Sequence, residues 1–392
     1  MKRQLIGSIV VPITISIAAC TTQSATPGGS PPAAQTNAAG PSLQERVLRG
    51  RHVVATGACG DCHGAIYPGG DGWLVGAKTA ADTFLVGPFK TYAANLTPDP
   101  VTGIGRYSER QLFNALRYGL RPDATPDVEI TSTTPGQGNF PAQPRYLAPS
   151  MPWAVWRHMP DEDLWAAAAY LKHGLKPVNN KVPASEAPPD HWAEAAAGAG
   201  PYPAAAHPTE NETALSTPQL MRGRELVIDR ACSGCHGGGP NPAAKGYLAG
   251  AKTPSDEFQI GPFRTRPRNL TPDNATGLGR FTERQIFNSL RFGLRPGETP
   301  DVEITSTIPG QGNFPLRPKY LAPPMPWISW RHLPDEDLWA IAAYLKRGVK
   351  PVENRVADSE GPPDFWASNY TVEKIGPYPI PPFPTANEVG SR

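Results

Sequence analysis

Apolar residues along this chain fall first into one solid run and then into helical spacing. Behind Lys2 and Arg3 the run extends from Leu5 to Ala19 and ends Ile17-Ala18-Ala19-Cys20. It is too short and too close to the N-terminus for a stable membrane span, so residues 1–20 read as an export signal. Residues 21–42 carry no charge and little apolar bulk, and such a composition predicts a flexible tether. From Leu43 onward the pattern becomes helical. A first helix is expected from Leu43 to about Val54. A second opens at Ser108, with Gln111 placed to complete a capping box, and carries Leu112, Phe113 and Leu116 on one side before stopping near Gly119. A third opens Pro160-Asp161-Glu162-Asp163, where proline suits the first turn and the acids meet the positive end of the helix dipole. It ends at Gly174. Strand signals are weak, which gives an all-α fold class.

The three helices then recur. Pro218 to about Ile228 repeats the first, Thr282 with Gln285 opens the second, and Pro334-Asp335-Glu336-Asp337 opens the third. The stretch from Pro126 to Pro141 returns from Pro300 to Pro315 with one change, Thr134 to Ile308. The chain therefore reads as a tandem duplication with long irregular loops. The matching runs past the third helix through Pro-rich segments from Lys176 and Lys350 to Gly-Pro-Tyr-Pro at Gly200–Pro203 and Gly376–Pro379. A mere linker has no reason to recur at the chain end. These segments are expected to be straps, each packed on its own domain through Trp192 or Trp366. The expected organisation is a domain over 43–206, a junction over 207–215, a second domain over 216–385 and a tail over 386–392.

Composition narrows the function. The formal charge is only +2 and no basic run appears, so nucleic acid is not an expected partner. The chain has 5 cysteines, and each has a place. Cys59 and Cys62 stand in a CxxCH motif ending at His63, and Cys232 and Cys235 in another ending at His236. Covalent haem attachment needs two thiols at fixed separation for the vinyl groups and an adjacent imidazole for the iron, and this motif supplies all three. Zinc knuckles or redox dithiols fit less well, because export opposes free dithiols and neither needs the adjacent histidine. Two covalently bound haem c groups are expected, with His63 and His236 as proximal ligands.

The sixth ligand separates an electron carrier from a catalyst. Met151 and Met325 occupy matching Met-Pro-Trp sites flanked by prolines that stiffen the loop. His158 and His332 also match, and an open position is the third possibility. Methionine is the favoured reading, although methionine is ordinarily core filler. Asn95, Asn269, Arg117, Arg291 and Tyr92 are candidate partners for haem propionates, and Trp153 and Trp327 candidate walls of the pocket.

At this point each half resembles a class I cytochrome c domain: a helix with Gly50 or Gly223, CxxCH, Asn-Leu-Thr-Pro-Asp, a capped helix, Met-Pro-Trp, and a helix ending Ala-Tyr-Leu-Lys. The whole is similar to the cytochrome subunits serving bacterial alcohol and sugar dehydrogenases. The resemblance implies His63 with Met151, and His236 with Met325, as axial pairs. It also implies a close crossing of the first and last helices at Gly50 against Tyr170, and at Gly223 against Tyr344. It implies an electron carrier rather than an enzyme, with redox-protein partners and no catalytic residue. A di-haem peroxidase with one open haem is the alternative. The end of the apolar run resembles a lipobox with Cys20 as the lipidated residue, which implies anchoring at the periplasmic face of a Gram-negative outer membrane. The third haem domain of the alcohol-dehydrogenase type is absent, and the segment between the second helix and the methionine is longer than in the family.

Overall fold

A reciprocal capping box starts the fold: Ser42 Oγ accepts from the Glu45 amide, and Glu45 accepts from the Ser42 amide. The computed structural model describes residues 40–79, 82–149, 151–187, 192–361 and 365–390. The expected signal, Cys20 and nearly all of the tether lie outside them. In the first half, α1 (Leu43–Thr56) leads into the short α2 (Cys59–His63). A hairpin of β1 (Thr83–Val86) and β2 (Phe89–Tyr92) follows, then α3 (Glu109–Tyr118), α4 (Trp153–Trp156), α5 (Asp161–Ala169) and α6 (Ala193–Ala197). The second half gives α7 (Pro218–Asp229), α8 (Cys232–His236), β3 (Phe258–Ile260), β4 (Phe263–Thr265), α9 (Glu283–Phe292), α10 (Trp327–Trp330), α11 (Asp335–Ala343) and α12 (Val372–Ile375). The protein is mostly helical, and no helix among the described residues is long and apolar enough to cross a membrane.

The two small antiparallel hairpins were not legible beforehand. Thr83 pairs with Tyr92 and Phe258 with Thr265. Each hairpin has work in the fold: Thr91 Oγ donates to the Pro149 carbonyl (3.3 Å) and Thr265 Oγ to the Pro323 carbonyl (2.8 Å), pinning the methionine loops.

Helix α1 packs on α5, and α7 on α11. The crossing is close enough that a Cβ at Gly50 would stand 1.8 Å from the Ala166 carbonyl oxygen, and one at Gly223 2.0 Å from that of Ala340. This is the crossing that the resemblance implied. Each half builds its own core, with Leu112, Phe113, Leu164 and Tyr170 in the first and Ile286, Phe287, Leu338 and Tyr344 in the second. Phe113 stacks on Trp165 at 4.5 Å, and Phe287 on Trp339 at 4.6 Å.

The Pro-rich segments lie along the hairpins. The Glu186 amide donates to the Lys90 carbonyl and that of Glu360 to the Arg264 carbonyl, both at 2.8 Å. Trp192 meets Phe89 edge-on at 6.1 Å, and Trp366 meets Phe263 at 6.0 Å. The chain end, expected as a tail over 386–392, bonds to the first half. Glu388 bridges Leu175, Val389 donates to the Gly174 carbonyl (3.0 Å), and Lys176 donates to that of Asn387 (2.9 Å), all in the first half. The segment before α7 does the same for the second half, where Glu212 bridges Val349 and Thr213 donates to the Gly348 carbonyl (2.9 Å). The halves also touch reciprocally, α1 against α10 and α4 against α7.

Candidate functional site

Both CxxCH motifs are displayed by the same local device. The chain reverses at Ala58 (φ 61°) and Ala231 (φ 62°), in the left-handed region. That conformation costs an L-residue roughly 1–2 kcal/mol, and the small side chain keeps the cost low. One helical turn then carries the two thiols. Gly64 (φ 140°) and Gly237 (φ 98°) end it. The Gly76 amide donates to the His63 carbonyl and that of Gly250 to the His236 carbonyl, each at 2.7 Å.

The histidines are oriented from behind. His63 Nδ1 lies 2.7 Å from the Ala94 carbonyl oxygen, and His236 Nδ1 lies 2.6 Å from that of Arg268. A carbonyl only accepts, so Nδ1 carries the proton and Nε2 keeps its lone pair for a metal. Burial lowers both imidazole pKa values against the opposing pull of those carbonyls. No disulfide joins the four motif cysteines. Burial is the main cause that pushes the Cys59 and Cys232 thiols up to about 12.

A cavity of about 920 Å³ opens over α2, within the range of cofactor sites. Cys59, Cys62, His63 and Met151 line it, as do Met325 and Arg230 from the second half. Met151 packs against the apolar cluster that Cys59 also joins, and Met325 against the cluster that contains Cys232. Cys232 and His236 are outside the lining of this cavity; Cys235 lines a smaller one of about 360 Å³ with Gly237 and Lys252. Paired thiols on one turn, an imidazole with Nε2 free and a thioether in an apolar cavity fit covalently held haem.

No family model matches the chain. Relatives do. It is 28% identical over 326 residues to the gluconate 2-dehydrogenase cytochrome c subunit of Pantoea cypripedii, covering 79% of this chain and 61% of that protein. It is 28% identical over 322 residues to the cytochrome c subunit of the quinone-type alcohol dehydrogenase of Gluconacetobacter polyoxogenes, covering 76% of this chain and 55% of that one. The chain is a homologue of dehydrogenase cytochrome c subunits. It spans little more than half the length of these two relatives. A diheme c-type cytochrome of Cereibacter sphaeroides is 25% identical over 339 residues, with 78% of this chain and 86% of that protein covered.

Against this cytochrome background the other candidate residues divide. His158 and His332 do not line the cavity. They pack beside Tyr202 and Tyr378, and burial, with neighbouring arginines, pushes them down to about 4 and about 3. Asn95 lines the cavity, and both Asn95 and Asn269 are buried and hydrogen-bonded within their loops. Asn95 donates to Thr102 and to the Val178 carbonyl, and accepts from the Thr97 amide and hydroxyl. Asn269 makes the matching set with Thr276, Val352 and Thr271. Arg117 and Arg291 are also spent, on the Arg157 and Arg331 carbonyls and on Asp161 and Asp335 at the next helix start. Tyr92 does line the cavity. Trp153 and Trp327 turn away to stack on Tyr146 and Tyr320, while Trp156 and Trp330 take the wall position.

Two carboxylates escaped the sequence reading. Glu388 accepts from Arg51 Nε and from the Tyr170 hydroxyl, both at 2.6 Å, with its side chain fully buried. Glu212 does the same for Arg224 (2.6 Å) and Tyr344 (2.5 Å). The signal was present: Pro208-Thr209-Glu210-Asn211-Glu212 recurs as Pro384-Thr385-Ala386-Asn387-Glu388.

Proposed function

We propose that this chain is a di-haem c-type cytochrome, a tandem duplication of two class I cytochrome c domains, that carries electrons one at a time. Cys59 and Cys62 hold one haem c, and Cys232 and Cys235 the other. His63 with Met151, and His236 with Met325, are the axial pairs. Haem c supplies the one-electron couple; the chain supplies burial, ligand choice and spacing. The observation that carries this reading is the repeated orientation of each motif histidine, with Nδ1 tied to a backbone carbonyl. A methionine packs against the same cluster as the motif's first cysteine in each half. His158 and His332, the competing ligands, stand outside the cavity lining.

The names of the relatives support a role as the cytochrome subunit of a membrane-associated dehydrogenase or oxidase complex. The N-terminal pattern supports export and a lipid anchor at Cys20, on the periplasmic side of the outer membrane. The Pro-rich straps hold each methionine loop through its hairpin.

The test is ligand by ligand. A haemochrome assay is expected to find two haems per chain. M151A and M325A are each expected to remove one sulfur-to-iron charge-transfer band, with the parent binding neither cyanide nor peroxide. An unaltered spectrum in either variant overturns the axial assignment. Cyanide binding to the parent at one haem favours the peroxidase reading instead.

A further inference from the structure

Arg230 occupies, in the second half, the position that Gly57 holds in the first. It does not stay within its own half. With Ala231 it lines the cavity over Cys59, Cys62 and His63. Ala231 packs against the first core, and the Arg230 charge acts on the Cys59 thiol. The Arg230 side chain is only 7% exposed, and its Nε and Nη1 meet no hydrogen-bond partner. Asp229 Oδ1 lies 3.7 Å from Nε, beyond hydrogen-bond reach. Burial raises Asp229 to about 7, so near neutral pH its carboxylate offsets the cation only in part. Arg222 pairs with Asp337 and Arg49 with Asp163, while Asp61, whose place in the second motif is taken by Gly234, lines the same cavity and accepts from the Ser329 hydroxyl at 3.1 Å. A buried cation without a bonded partner is costly, and this one stands at the wall of the other half's site.

We infer that Arg230 is an electrostatic tuning residue supplied across the interface: it favours the reduced form of the first site. The inference rests on the two-haem reading above. A fixed positive charge beside a one-electron centre stabilises the state holding one more electron, and more strongly out of water. The axial candidates are the same in both halves, and Gly57 brings no charge to the matching place.

Redox titration of the full-length, haem-loaded protein by visible absorption tests this. M151H identifies the first-half wave and M325H the second-half wave, each by displacement. R230Q is expected to shift the first-half wave to lower potential by about 59 mV, a tenfold change in the ratio of reduced to oxidised form. R230K is expected to keep it near the parent value, and the second wave is expected to move less in both. A first-half wave unmoved by R230Q, or both waves displaced equally, overturns the assignment. A haem count below two overturns the underlying functional reading, and the haemochrome assay reports that independently of the potentials.

Discussion

Truncating Glu388 to alanine probes the least expected part of the fold, the return of the chain end to the first half. Its carboxylate is fully buried and serves Arg51, whose side chain is 9% exposed, together with the Tyr170 hydroxyl. Tyr170 in turn accepts from Trp73 Nε1 at 2.9 Å, so the network reaches the ring that lies under α2 at Gly60. Glu388→Ala leaves the Arg51 guanidinium buried with one remaining bond, to the Pro381 carbonyl. Breaking a buried pair from one side costs about 3–5 kcal/mol, and at 2–4 °C per kcal/mol for domains of this size the melting temperature is expected to fall by roughly 10 °C. Thermal unfolding of the haem-loaded protein, followed by far-ultraviolet circular dichroism, reads this directly. The paired variant Arg51→Met with Glu388→Met removes both charges and is expected to recover most of the loss, because an apolar pair of similar volume often does as well as a buried ion pair. A melting temperature within about 2 °C of the parent for Glu388→Ala, or no recovery in the paired variant, would refute the clasp.

Gly50→Ala places a methyl 1.8 Å from the Ala166 carbonyl oxygen, which is backbone and cannot step aside. The two helices must separate, at an expected cost of about 3 kcal/mol or more, and an unfolding midpoint equal to the parent's argues against the close crossing. Acid sensitivity has a worked sign. His158 and His332 are held down to about 4 and about 3 by burial and neighbouring arginines, so the unfolded chain takes up protons below its ordinary 6.5 that the folded chain refuses. Stability is expected to fall as pH drops from about 6.5 toward 4. Burial alone raises Glu212, but bonds from Arg224, Tyr344 and the Thr209 amide outweigh it and leave its carboxyl below 4.5. Its contribution, present above that value, is lost at still lower pH. Melting curves against pH should flatten between 6.5 and 4 in the His158→Gln, His332→Gln double variant, and an unchanged slope counts against these histidines.

What the sequence disclosed, and what it hid, follows from the range of the forces involved. Helix starts were legible because a capping box is local: Ser108 with Gln111, and Thr282 with Gln285, close exactly one turn. The CxxCH turns were legible for the same reason. The hairpins were not, since β1 and β3 are 4 and 3 residues long, and the bonds that β2 and β4 accept from Glu186 and Glu360 come from far along the chain. The polar candidates show a demand that the sequence hides. Asn95 and Arg117 each bond to backbone groups that irregular loops leave without a ladder, as the demand for satisfied buried polar groups requires. The hardest feature was the pairing of Glu388 with Arg51, 337 residues apart. No local rule connects them, but the repeat does. Arg51 matches Arg224 and Glu388 matches Glu212, and Arg224 lies only 12 residues from Glu212. The short-range pair in one half thus names the long-range pair in the other. The Pro384–Glu388 segment holds for Arg51 and Tyr170 the place that Pro208–Glu212 holds for Arg224 and Tyr344.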